Sequence, residues 1–173
     1  QSHHANTELV QELTENTVTG GVAMINHALA ERWRTLDNII MHDWYLAVLA
    51  TAIGKLVYID QPGELYRQHD NNVLGARTFT KRLKTWLSGP SKMLEKYWWL
   101  IHASQAQADK ILQENELGDE QEAVIRNYIA LERLPLSQRI RVLRQYKYAK
   151  NKWFHTMIFR LLIMTRIGNK KNK

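Results

Sequence analysis

The sequence predicts an α+β protein, mostly helical, with a few short strands early in the chain and a helical extension after them. Three observations predict it. Between residues 17 and 68, short β-favouring stretches alternate with turns rich in Gly, Pro and Asp. After about residue 78, Gly and Pro become rare and apolar residues recur every three or four positions. The 173 residues, 45% apolar and 24% charged, suffice for an ordinary domain with a core of its own.

Taken in order, Leu9, Val10 and Leu13 have helical spacing and predict a short helix over 5–15. Thr17 to Ile25 favours a strand, interrupted at Gly20-Gly21, where the spacing predicts a bulge or a close backbone approach. Asn26 suits the N-cap of a helix through Trp33. Trp44 to Ile53 reads as a buried helix with Asp43 at or near its cap and Gly54 at its end. Lys55 to Ile59 predicts a short strand, Asp60-Gln61-Pro62-Gly63 a turn, and Glu64 to Gln68 a second extended segment. Ser88-Gly89-Pro90 places Pro for a helix start, and Met93, Leu94, Tyr97, Trp98, Ile101, Ala108, Ile111 and Leu112 then form one apolar stripe. Gly118 and Pro135 separate two further helices, carrying Val124, Ile125, Tyr128 and Ile129, and then Ile140, Leu143 and Tyr146. A last apolar segment runs from Trp153 to Ile167.

The net charge is +7, so an anionic partner is expected: nucleic acid, an acidic membrane surface and a nucleotide-sugar all qualify. The absence of cysteine excludes disulfides and thiolate metal sites and fits a reducing compartment. Gln1-Ser2-His3-His4 predicts no signal peptide, having no charged region followed by an apolar run.

Two places concentrate groups able to do chemistry. Asp43, between His42 and Trp44, opens the apolar helix. A carboxylate there suits an ordinary cap, stabilised by free backbone N–H groups and the helix dipole, and equally a general base on a sugar hydroxyl. Arg67, Gln68 and His69, followed by Asn71 and Asn72, form a dense polar cluster after an extended segment. Arg suits bidentate phosphate contacts and neutral imidazole is a common metal ligand, although one histidine does not make a metal site.

Four pieces occur in order: Asn16-Thr17-Val18-Thr19-Gly20-Gly21, Met41-His42-Asp43-Trp44, Gly54-Lys55-Leu56-Val57-Tyr58-Ile59-Asp60, and Leu65-Tyr66-Arg67-Gln68-His69-Asp70-Asn71-Asn72-Val73. Over roughly residues 14 to 78 the chain resembles the second half of bacterial family 2 glycosyltransferases, particularly the rhamnosyltransferase-like members. The resemblance implies the carboxyl-terminal part of a GT-A-type α/β domain at 1–78, on its acceptor and base side, followed by a helical extension at 79–173. It implies inverting transfer from a nucleotide-sugar donor to a glycan or lipid-linked acceptor, with a divalent cation, Mg or Mn. Asp43 would be the base, and His69 would complete the metal and diphosphate site. Arg67 and Gln68 would touch the diphosphate, and Thr19, Gly20, Gly21, His42 and Trp44 would line the sugar cleft. Many relatives carry a small polar or sulfur-bearing residue where this chain has Gly21.

The family's Asp-x-Asp metal motif and nucleotide-binding sheet have no counterpart, since Asp43, Asp60, Asp70 and Asp109 stand alone. The sequence therefore reads as a fragment of a longer enzyme, inactive by itself and expected in the cytoplasm or peripherally at the inner face of the cell membrane. Trp153-Phe154 and Met157-Ile158-Phe159 through Ile163-Met164, with Lys150, Lys152, Arg160 and Arg166 as cationic anchors, suggest membrane contact through 150–173; packing against the other helices is the competing reading. No nucleic acid is expected on the resemblance. Two other classes stay open: a basic helical module using Arg139, Arg141 and Arg144 on nucleic acid or a protein partner, and a structural domain whose helices form a homo-oligomer.

Overall fold

The structure, a computed structural model, describes residues 7–33, 37, 39–63 and 89–169. Seven α-helices account for most of them: α1 Leu9–Glu12, α2 His27–Arg32, α3 His42–Ile53, α4 Pro90–Glu114, α5 Asp119–Ala130, α6 Leu136–Tyr146 and α7 Trp153–Thr165. A 3₁₀ turn, Gly20–Val22, lies between α1 and α2.

The predicted strands at Thr17–Ile25 and Lys55–Ile59 are not formed, and no strand occurs among the described residues, so the α/β character expected of 1–78 is corrected to a helical one. Thr19 and Ala23 do take extended backbone angles, φ −107° and −94°. What they lack, among the described residues, is a partner strand. Extended geometry is a local preference, whereas a strand exists only through a ladder to a neighbour. The other predicted extended segment, Glu64 to Gln68, lies outside the described residues.

The helices follow their local signals closely. Asn26 caps α2, its Oδ1 accepting from Leu29 N at 2.9 Å. Pro90 opens α4, where its missing N–H costs nothing. Gly54 ends α3, donating its N–H to Ala50 O at 3.0 Å.

Leu13, Trp44, Tyr45, Val48 and Leu49 from the first part share one buried cluster with Trp98, Ile101, Ile111, Ile125, Tyr128, Phe159 and Ile163 from the second. α4 packs against both α3 and α5, α1 against α3, and α6 against α7. Met93, placed on the apolar stripe of α4 by spacing, is instead half exposed.

Two arginines, Arg139 buried and Arg166 half-buried, fix α7. Arg139 is 7% exposed, and its Nη1 donates to Ile163 O at 2.5 Å and Met164 O at 2.8 Å, the last turn of α7. These carbonyls have no partner within the helix, and the negative end of the helix dipole serves as counter-charge. Arg166 adopts the left-handed conformation, φ 57°, that usually selects Gly. Its guanidinium returns to Leu134 O at 2.9 Å, after α5, a contact glycine cannot make. Because Arg139 faces inward, the basic face formed with Arg141 and Arg144 loses its first member. Replacing Arg139 with Met keeps most of the stem but strands two carbonyls. The expected loss is about 2–3 kcal/mol, or roughly 5–10 °C in Tm, against little change for the exposed Arg141→Met, measured by thermal denaturation.

Candidate functional site

The site is built from the turn after α1. Glu12 is sealed from solvent, and its carboxyl group accepts from Thr17 Oγ1 and, at 3.4 Å, from Thr17 N. This grip fixes where the extended segment starts. Asn16 Oδ1 accepts from Val18 N at 3.1 Å and continues the hold. The chain then reaches Thr19 and turns through Gly20–Val22, with Val22 N donating to Thr19 O at 3.1 Å.

Gly20 meets the start of α3. A Cβ placed on it would lie 2.8 Å from His42 Nε2 and 3.6 Å from Asp43 Cβ, so any side chain there displaces the imidazole. The residue is glycine for closeness of approach, as the spacing predicted. His42 also lies parallel to Trp33, ring centroids 6.4 Å apart and planes within 7°.

Asp43 stands in the first turn of α3, half-buried, beside this exposed histidine. It is near the cap without being the cap. Met41 takes that position, and Asp43 Oδ1 accepts from the N–H of Trp44 at 2.8 Å. Gly20, His42 and Asp43 thus come together, with Thr19 and Gly21 exposed on the adjoining turn. Trp44 points the other way. Its indole is 2% exposed, and Nε1 donates to Glu12 O at 2.6 Å, making it part of the core that anchors the turn.

Gln107, on α4, was not singled out by the sequence, since a lone glutamine on a long helix carries no signal. It is buried, and its Oε1 accepts from Ile40 N at 3.1 Å and Met41 N at 3.0 Å. These are the last two free N–H groups before α3, so Gln107 sets the height at which Asp43 emerges.

Arg67, Gln68 and His69 lie outside the described residues. Among the described residues, no group of three or more His, Asp or Glu side chains comes together to hold a metal ion. No helix among them is long and apolar enough to cross a membrane. Compared with protein-family models, with characterised proteins and with solved structures, the chain has no significant match.

Burial pushes the Glu12 carboxyl up from 4.5 to about 7; the two Thr17 contacts act against this, and Glu15 adds a smaller push upward. The folded state therefore holds a proton that the unfolded chain releases near pH 4.5. This contribution to stability is complete below that pH and is lost as pH rises through about 7. Melting followed from pH 5 to 8 should show Tm falling across that window, and Glu12→Gln should flatten this part of the profile. Gln107→Leu should cost about 1 kcal/mol by removing the acceptor of two partly buried N–H groups, and hydrogen exchange should quicken at Ile40 and Met41 before it does in α5.

Proposed function

We propose that the chain is the carboxyl-terminal part of an inverting family 2 glycosyltransferase, in which Asp43 is the general base. One observation carries the reading. Two of the four motif pieces, separated by more than twenty residues, converge so that the Gly20 turn abuts His42 and Asp43 at the start of α3. The carboxylate is half-buried at the surface rather than sealed among the helices. The exposed Thr19–Gly21 turn provides one wall for a sugar without crowding it.

The chemistry asked of these residues is modest. The acceptor hydroxyl oxygen attacks the anomeric carbon of the donor sugar, the bond to the diphosphate breaks on the opposite side, and the hydroxyl proton passes to Asp43. A base on the acceptor side favours direct displacement with inversion. Arg67, Gln68 and His69 would attend the departing diphosphate, where fixed donors and cations stabilise developing charge. A divalent cation, Mg or Mn, would neutralise the same charge when bound. The donor is a nucleotide-sugar, with rhamnose favoured by the resemblance, and the acceptor a glycan or lipid-linked glycan of a surface polysaccharide. The place of action is the cytoplasm, at the inner face of the cell membrane.

Exposed apolar side chains near the site fit a chain that works with a donor-binding half. Val22, Met24 and Ile25 after the Gly20 turn, and Val57 and Ile59 leading to the Asp60–Gly63 turn, are open to solvent. Val22 and Gly63 lie against each other, a Cβ on Gly63 falling 3.1 Å from Val22 Cγ1. The two stretches therefore meet at one edge, a surface for the donor-binding half to cover.

In the enzyme that joins this chain to a donor-binding half, Asp43→Asn should retain nucleotide-sugar binding and lose transfer by roughly 10²–10⁴-fold. Radiolabelled sugar transfer with equilibrium binding of the donor reads both quantities. Normal turnover by the variant rejects the assignment.

A further inference from the structure

The solvent face of α7 has the wrong chemistry for a helix facing water. At about 100° per residue, Trp153, Met157, Leu161 and Phe154 fall within an arc of roughly 100°. They are 73%, 59%, 53% and 56% exposed. The opposite side, Phe159, Leu162 and Ile163, is buried in the core. α7 is thus apolar on both faces, only one of which the protein covers, and Ile167 extends the open face beyond its end. Four large side chains in one stripe exceed the scattered apolar exposure ordinary for a soluble surface.

The charge of the chain is concentrated in the same place. Residues 150–173 contain seven Lys and Arg and no Asp or Glu. The full chain has 24 basic and 17 acidic residues, leaving seventeen of each sign in residues 1–149. The whole net charge of +7 therefore belongs to the last 24 residues. Lys152 is exposed directly before Trp153, and the first turn of α7 has no acidic side chain to offset the positive helix end. Arg160 and Arg166 donate to the backbone carbonyls of Tyr148 and Leu134. Glu15, the acidic group at this end, is engaged by Asn151 N at 2.8 Å.

We propose that the outward face of α7 seats on an anionic lipid surface, with Trp153, Phe154, Met157 and Leu161 in the interface and the exposed Lys152 on the headgroups, drawn there by the net positive charge of residues 150–173. An uncovered aromatic and aliphatic stripe in a segment of net positive charge, with an exposed lysine at its start, is the pattern of a helix lying in the membrane plane. Its thirteen residues span about 20 Å, short of the roughly 30 Å hydrocarbon core, so the helix lies on the membrane and does not cross it. A nucleic acid would use the charge but leave the stripe unused, and a second copy of the chain would bring like charge against like.

Flotation with vesicles of equal parts phosphatidylglycerol and phosphatidylcholine tests the proposal. The full chain should rise with these vesicles, and raising the salt or using phosphatidylcholine alone should weaken binding roughly tenfold. Trp153→Ser combined with Phe154→Ser and Met157→Ser should weaken it at least about tenfold, with circular dichroism and Tm unchanged because the side chains contribute little to the core. Should the triple variant melt early, Trp153→Ser alone replaces it, with an expected loss of about threefold. Failure of the full chain to float, or equal flotation of the folded variant, overturns the proposal. So does wild-type dimerisation abolished by the same substitutions without lipid binding, which would make the face a self-interface. Retention on random duplex DNA that exceeds vesicle binding and survives the substitutions also overturns it.

Discussion

Irregular backbone cannot be buried unless its polar groups find partners, and here one helix supplies them. α4 turns a row of small and amide side chains, Ser104, Gln105 and Gln107, into the interior. Ser104 Oγ donates to Leu13 O at the end of α1, Gln105 Nε2 to Tyr128 O at 3.1 Å in α5, and Gln107 receives the N–H groups leading into α3. An apolar face of the same shape would bury as much area yet take these partners from Leu13 O and from the N–H groups of Ile40 and Met41, at a cost of about 1 kcal/mol each. The candidate site therefore depends on α4, although no residue of α4 lies in it.

That dependence explains what was legible in the sequence. Helix periods, the Asn26 cap, the Pro90 start and the Gly54 stop are local signals, and each appears in the structure. Gly20 could be read as a close approach because Gly-Gly inside a β-favouring stretch has few other uses. Gln107 and Ser104 could not be read, since their partners are 66 and 91 residues away. Trp44 fitted either the cleft or the core until its indole N–H found Glu12 O. The strands failed for the converse reason. Thr17–Ile25 and Lys55–Ile59 have the residues for extended chain, but a ladder is a property of two segments, and among the described residues no strand lies beside them.

The buried Arg139 shows the same limit. Arg139 sits in a run of alternating basic and apolar residues that reads as a solvated face, yet its guanidinium closes the end of α7. A cation in the interior is tolerated because helix carbonyls, rather than a carboxylate, answer its charge. Nothing in the local pattern distinguishes it from Arg141.

The candidate site and α7 are joined through the turn that follows α1. Thr14 Oγ1 donates to Ala149 O at 2.5 Å, Lys150 Nζ to Thr14 O, and Asn151 N to the Glu15 carboxylate at 2.8 Å. Glu12 and Asn16, flanking these residues, hold Thr17 and Val18 on the way to Gly20. The loop before α7 and the turn that abuts Asp43 thus share a single clamp. Burial pushes the Lys150 ammonium below its ordinary pKa, the negative charge of Glu15 acts in opposition, and Thr14 O accepts from the ammonium directly. On the proposed readings, this fixes the orientation of a sugar-transfer base relative to a lipid surface. On those same readings, a lipid-linked acceptor would meet the base at a height above the headgroups set through α1 and its turn.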